Sequence, residues 1–167
     1  AERPYALGDI HTTLIRTARG KSILIQHDIT SPRPYNRLHT ISGTKGFAQK
    51  YPIRSLAFDP DAHHRLSDEQ LDQMLRRYEH PITREIGEKA REVGGHGGMD
   101  FIMDYRLVYC LHHGLPLDQD VYDAAEWSSL AELTEASVRN GSMPVAMPDF
   151  TRGAWRKVEG FSHAMAE

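Results

Sequence analysis

His96 stands between two glycine pairs in Gly94-Gly95-His96-Gly97-Gly98-Met99-Asp100, just ahead of a long segment with apolar periodicity. Glycines raise the entropic cost of ordering the backbone, a cost found where a chain turns sharply or lets something come close. The position is a helix N-terminus, where free N–H groups and the positive end of the dipole attract anions and polar ligands. Two readings stay open: a ligand-facing imidazole on a glycine hinge, or a flexible helix–helix connection with an exposed histidine. Asp100 and Asp104 are spaced i,i+4 and share a face with His96 if the helix starts early. Such a His–Asp–Asp line could orient the imidazole for acid–base work. The carboxylates could equally complement the helix dipole.

A second candidate lies in Ser31-Pro32-Arg33-Pro34-Tyr35. Prolines on both sides of Arg33 restrict the backbone, so Arg33 and Tyr35 are presented in fixed directions. A phenol and a guanidinium held this way suit a hydroxyl-rich ligand, the ring stacking on a sugar face while the polar tips hydrogen-bond. The alternative is a loop tyrosine covering a sheet edge. Glu126 and Trp127 read as packing and surface residues, and Trp155 as a core or interface anchor. Ser-His-Asp combinations can be drawn, but no Gly-x-Ser-x-Gly elbow supports one. Of ten histidines, His63-His64 and His112-His113 are adjacent pairs that point apart. Neither a His-x-x-x-His face nor Cys/His ligand spacing occurs, so no metal is expected.

These groups must be positioned by a chain of 167 residues, which fits one domain, 1–167, with a real core. A net charge of −3 with mixed charge order argues against a nucleic-acid surface. No apolar run is long enough to span a bilayer. Ala1-Glu2-Arg3-Pro4 opens into polar sequence without a signal peptide. The lone Cys110 excludes an internal disulfide and reads as an inert packed thiol.

The first third reads as β. His11 to Thr17 and Ser22 to Ile29, joined by a turn at Ala18–Lys21, form a hairpin. Arg37 to Ser42 and Phe47 to Tyr51 are further strands around the turn Gly43–Gly46, and Pro52 to Pro60 has room for one more. The remainder reads as α. Ser67 and Gln70 make a capping box for a helix to about Glu79, ended by His80-Pro81. Further helices run from about Thr83 to Val93, from 98 to 113, and from an Asp118 cap to about Arg139. Phe101, Tyr105, Val108 and His112 form the expected apolar stripe of the third. The tail, with Pro144, Pro148 and Gly153, reads as extended. Strands first and helices afterwards predict an α+β domain, a mostly antiparallel open sheet with helices on one face, and no Rossmann unit.

Several longer runs occur together in one known family. They are His11–Thr17, Gln26–Asp28, Ser31–Tyr35, Ser42–Lys50, Gly94–Phe101 and Pro148–Gly153. Over about residues 5 to 155 the chain resembles the C-terminal part of glycoside hydrolase family 109. That family comprises NAD-dependent glycosidases, typified by α-N-acetylgalactosaminidase, within the Gfo/Idh/MocA oxidoreductase superfamily. The resemblance implies an amino-sugar glycoside as substrate and NAD as cofactor. It also implies that a Rossmann half and a Tyr-Pro-Thr-His motif belong to a part of the family's proteins that does not match here. Carried over by position, Tyr35 matches a substrate-binding tyrosine and His96 the histidine of the glycine-rich motif, near nicotinamide and sugar.

The implied reaction is oxidation at C3 of the sugar, elimination across C2 and C1, addition of water, and reduction, an exception to the two-carboxylate route. Two other readings share the residues: an NAD(P)-dependent sugar dehydrogenase of the same superfamily, or a non-catalytic sugar-binding or dimerisation module. Pairing between subunits through the sheet is expected from the superfamily. Many family members carry a twin-arginine signal, so an exported parent is expected, and a cytoplasmic one otherwise.

Overall fold

A computed structural model describes residues 8–158. They divide into two compact units, one holding residues 8–33 and 119–158, the other Pro34–Asp118. The architecture is α+β, with every strand pair antiparallel and no Rossmann half. The strands form two sheets rather than one.

In the first unit, β1 (Ile10–Arg16) pairs with β2 (Ser22–Asp28) in the expected hairpin, in the register Thr13 opposite Ile25. Exposure alternates along β1, as a pleated strand with one covered face requires. Thr13 and Thr134 hydroxyls lie 3.2 Å apart, which ties the covered face to α4 (Val121–Arg139). Leu14 and Leu24, directly opposite each other, remain exposed on the other face.

α4 starts later than expected. Its N-cap is Asp120, whose carboxylate accepts from Tyr122 and Asp123 N–H at 2.8 and 3.1 Å. Asp118, the expected cap, instead accepts from Arg106 in the second unit's own sequence range. Two aspartates stand two residues apart, and the deeply buried guanidinium claims the first. The tail also departs from an extended strap. Ala154–Lys157 closes into a short 3-10 turn. Asp149 accepts from the Thr151 hydroxyl at 2.7 Å and from the Trp155 indole N–H at 3.2 Å. The Arg156 and Arg19 guanidinium carbons sit 5.0 and 5.9 Å from the centre of that indole.

In the second unit, β3 (Thr40–Ser42), β4 (Gly46–Gln49) and β5 (Ser55–Phe58) make a meander. β3 is shorter than expected because Asn36 accepts from Leu38 N–H at 2.8 Å and Leu38 has φ 44°, which breaks extension ahead of Thr40. α1 (Asp68–Arg77) carries the expected Ser67/Gln70 capping box. α2 (Pro81–Val93) begins two residues earlier than expected. His80 does not end α1 but caps α2, its Nδ1 accepting from Ile82 N–H at 3.2 Å, with Pro81 at the position where a missing N–H is harmless.

α3 (Met99–His113) packs against α2, and its buried residues are Arg106 and Cys110. The stripe expected at Val108 and His112 is exposed instead. Close packing of Gly98 on the Ala90 backbone of α2 accompanies a different inward face, that of Arg106 and Cys110. Cys110 is 1% exposed, the inert thiol expected of it. Phe101, Tyr105, Tyr109 and His113 form a ring ladder at centroid spacings of 6.3, 6.4 and 4.3 Å.

Arg106 is 8% exposed, and its Nε and Nη2 donate to both oxygens of Asp118 at 3.0–3.2 Å. Removing the acceptor strands a buried cation. Asp118→Ala is therefore expected to lower stability by about 3–5 kcal/mol in denaturant unfolding, while Arg106→Met with Asp118→Leu recovers most of it.

The Asp149 carboxyl is held below its ordinary value of 3.8, chiefly by the Thr151 hydroxyl, with the Trp155 N–H adding to it. A depressed folded-state value means the contribution is present above the ordinary value and is lost as pH falls through the lower one. In a Trp127→Phe background, Trp155 emission should hold constant through the ordinary carboxylate range and change only below it. Asp149→Asn should abolish that acid transition.

Candidate functional site

Residues 94 to 98 all have positive φ, from 47° at His96 to 99° at Gly98. Two of the glycines are required by contacts. A Cβ on Gly98 would lie 2.7 Å from the Ala90 carbonyl carbon, so only glycine lets α3 start this close to α2. A Cβ on Gly95 would lie 2.8 Å from an Asp100 carboxylate oxygen. The junction thus has no room for side chains where it turns back, and it leaves one at its apex.

That side chain is His96, 75% exposed and with left-handed backbone. Its Nδ1 lies 2.9 and 3.1 Å from the two Asp100 carboxylate oxygens. The junction is a left-handed turn between two helices whose exposed imidazole pairs with Asp100. Asp104, one helical turn further on, makes no hydrogen bond to His96 among the described residues. Asp100 and Asp104 border an open cavity of about 500 Å³, with Gly94, Gly95, Phe101 and Tyr105 among its other walls. The lining is largely apolar, with two carboxylates among it.

Tyr35, in the same unit, is 72% exposed. The Tyr51 ring meets it edge-on at a centroid spacing of 6.0 Å, and Arg37 Nε donates to its hydroxyl while the guanidinium lies 5.5 Å from the ring centre. Arg37 and Tyr51 hold the phenol alongside the prolines, and the local spacing of Arg37, two residues on, is the signal that could have found it. No hydrogen bond or ring contact among the described residues links Tyr35 to His96.

Arg33 belongs to the first unit. It pairs with Asp28 and remains about half exposed. Asp28 accepts from Ser31 and Thr30 N–H at 3.0 and 3.3 Å. The Ser31 N–H is the main cause that holds this carboxyl below the ordinary range. Asp28 therefore fixes both the turn after β2 and the root of the Arg33 side chain.

Among the described residues no three His, Cys, Asp or Glu side chains are grouped so as to hold a metal ion. Among the described residues no helix is long and apolar enough to cross a membrane. The glycine turn joins helix to helix, and all strands are antiparallel. The described residues therefore lack the strand–turn–helix cradle for a dinucleotide pyrophosphate.

Antiparallel strands followed by capped helices, with a histidine–aspartate pair at a helix junction, define an α+β domain. Residues 1–157 match the model of the glycosyl hydrolase 109 C-terminal domain, and the chain belongs to that family. It is 57% identical over 157 residues to an alpha-N-acetylgalactosaminidase of Bacteroides fragilis, covering 94% of this chain and 37% of that protein. A glycosyl hydrolase family 109 protein of Porphyromonas gingivalis is 54% identical over 174 residues, 96% of this chain and 37% of that protein. A Phocaeicola vulgatus member is 52% identical over the same coverage. The chain thus spans little more than a third of the curated relatives it matches.

Gly98→Ala should place a methyl group against the Ala90 backbone and keep it at a φ that L residues resist. The expected loss is about 2–4 kcal/mol, combining overpacking with left-handed strain. Gly97→Ala, at a similar φ but with open space around its Cβ, should cost only the strain. Chemical unfolding of the two variants separates the contributions.

Proposed function

We propose that the protein carrying this chain hydrolyses α-N-acetylgalactosaminides and that this chain supplies sugar-binding and proton-handling groups. The observation that carries the reading is the His96–Asp100 pair, held at the glycine junction beside an open cavity in a chain of this family. Tyr35 stacks on the sugar and hydrogen-bonds it, and Arg33 is by its chemistry a donor suited to sugar hydroxyls. His96 moves a proton during the reaction.

In this reading NAD is held by the remainder of the protein and supplies a hydride acceptor and donor at C3 of the sugar. A ketone at C3 makes the C2 proton acidic. Loss of that proton to a base expels the glycosidic oxygen from C1, which leaves as the protonated alcohol; water then adds its hydroxyl at C1 while a proton returns to C2, and the sugar leaves with C3 reduced. The route needs proton-transfer groups rather than two flanking carboxylates, which fits the tyrosine and histidine that this chain presents.

Hydrolysis of a chromogenic α-N-acetylgalactosaminide in deuterated water by the natural protein tests the route. The released sugar should carry deuterium at C2. Hydrolysis without exchange at C2 rules the route out. Tyr35→Phe should reduce kcat/KM by about 2- to 12-fold, the equivalent of roughly 0.5–1.5 kcal/mol for one hydrogen bond. His96→Ala should lower kcat by about 10²- to 10⁴-fold with little change in melting temperature. A large drop in melting temperature with normal activity per folded molecule would make His96 structural.

A further inference from the structure

We infer that Asp100 is the positioning residue that holds His96 as its Nδ1–H tautomer, so that Nε2 is the nitrogen exchanging a proton with substrate. The inference rests on the proposed acid–base role of His96 and names the atom through which it acts. Both Asp100 oxygens lie within 3.1 Å of Nδ1. An ionised carboxylate only accepts hydrogen bonds, so a neutral imidazole in this contact carries its hydrogen on Nδ1. Nε2 is then left with a bare lone pair on a side chain that is three-quarters exposed. The partner of one ring nitrogen sets the role of the other.

The pairing is built by the backbone rather than by a chance surface encounter. His96 precedes the first turn of α3 and Asp100 lies within it. The left-handed φ of 47° at His96 is uncommon for a residue with a Cβ, and it bends the imidazole back toward that turn. Gly95 clears the space. Any side chain there would come within 2.8–3.2 Å of the Asp100 carboxyl and push it away from the ring. Asp104 does not share the task, since no hydrogen bond joins it to His96 among the described residues. Asp100 also borders the cavity. The carboxylate that orients the ring therefore stands where substrate would approach it.

The test uses the natural protein labelled with ¹⁵N-histidine, observed by long-range ¹H–¹⁵N correlation at a pH where imidazole is neutral. His96→Gln identifies the His96 resonances. A pyrrole-type Nδ1 and pyridine-type Nε2 in the unaltered protein, reverting to a tautomer mixture in Asp100→Ala, are the expected result. A fall in kcat of about 10-fold or more, with an unchanged melting temperature, should accompany that reversion. Asp100→Asn, nearly isosteric, serves if the alanine variant does not fold and should show the same direction of change. An Nε2–H tautomer in the unaltered protein, or an Nδ1–H tautomer that survives Asp100→Ala, overturns the inference. So does a tautomer change that leaves kcat unaltered. Normal turnover in His96→Gln would instead overturn the acid–base reading, while the spectra still report whether Asp100 sets the tautomer.

Discussion

The approach of α3 to α2 is the constraint on which the candidate site depends. At Gly98 the two helices are so close that a single methyl group would enter the Ala90 backbone. The connection between them must therefore reverse within a few residues, and it does so through an unbroken left-handed stretch. Glycine adopts that conformation readily, whereas a residue with a side chain in a sparsely populated region bears a cost of about 1–3 kcal/mol. The one residue here that bears it is His96. Its backbone is held by neighbours that have no alternative, since buried Ala90 and Gly98 sit directly beneath the turn. The imidazole direction is thus a consequence of helix packing.

Few apolar side chains are buried among the described residues: Ala57, Leu71, Ile82, Ala90 and Cys110. With a core of this size, local polar contacts take a larger part in defining each conformation. Ser67 and Asp120 cap their helices through reciprocal bonds. Asp28 closes the turn after β2, Asp118 neutralises a buried guanidinium, and Asp149 gathers Thr151 and Trp155. Each is a carboxylate accepting from donors that would otherwise lose their hydration, and such charge-assisted bonds are among the stronger ones available to a small unit.

Tyr35 and His96 are presented by different means. Tyr35 stands in irregular chain between prolines and β3, braced by a ring edge and a guanidinium. His96 stands at a helix start, braced by a carboxylate one turn away. The first arrangement suits contact with the face of a ligand, because an aromatic surface must be open on one side. The second suits proton exchange, because a ring fixed at one nitrogen offers the other in a defined direction.

The type and order of the elements were legible in the chain, because they rest on local signals: the alternation of Thr, Leu and Ile in β1, the Ser67–Gln70 box, and the glycines that end α2 and α3. The family could be recognised for a related reason, since its motifs are continuous runs. Boundaries and faces were less legible. In the sequence His80 reads as a stop but is a cap, Asp118 reads as a cap but is a counter-ion, and the stripe through Val108 and His112 is exposed. For Asp118 and the α3 stripe the deciding partner lies further off, Arg106 in one case and α2 in the other, whereas His80 caps through its near neighbour Ile82. The sequence by itself determined that a histidine would stand on a glycine turn before a helix with aspartates on its first turns. Only the tertiary structure decided that Asp100 and not Asp104 meets it, because that choice depends on how close α2 allows α3 to begin.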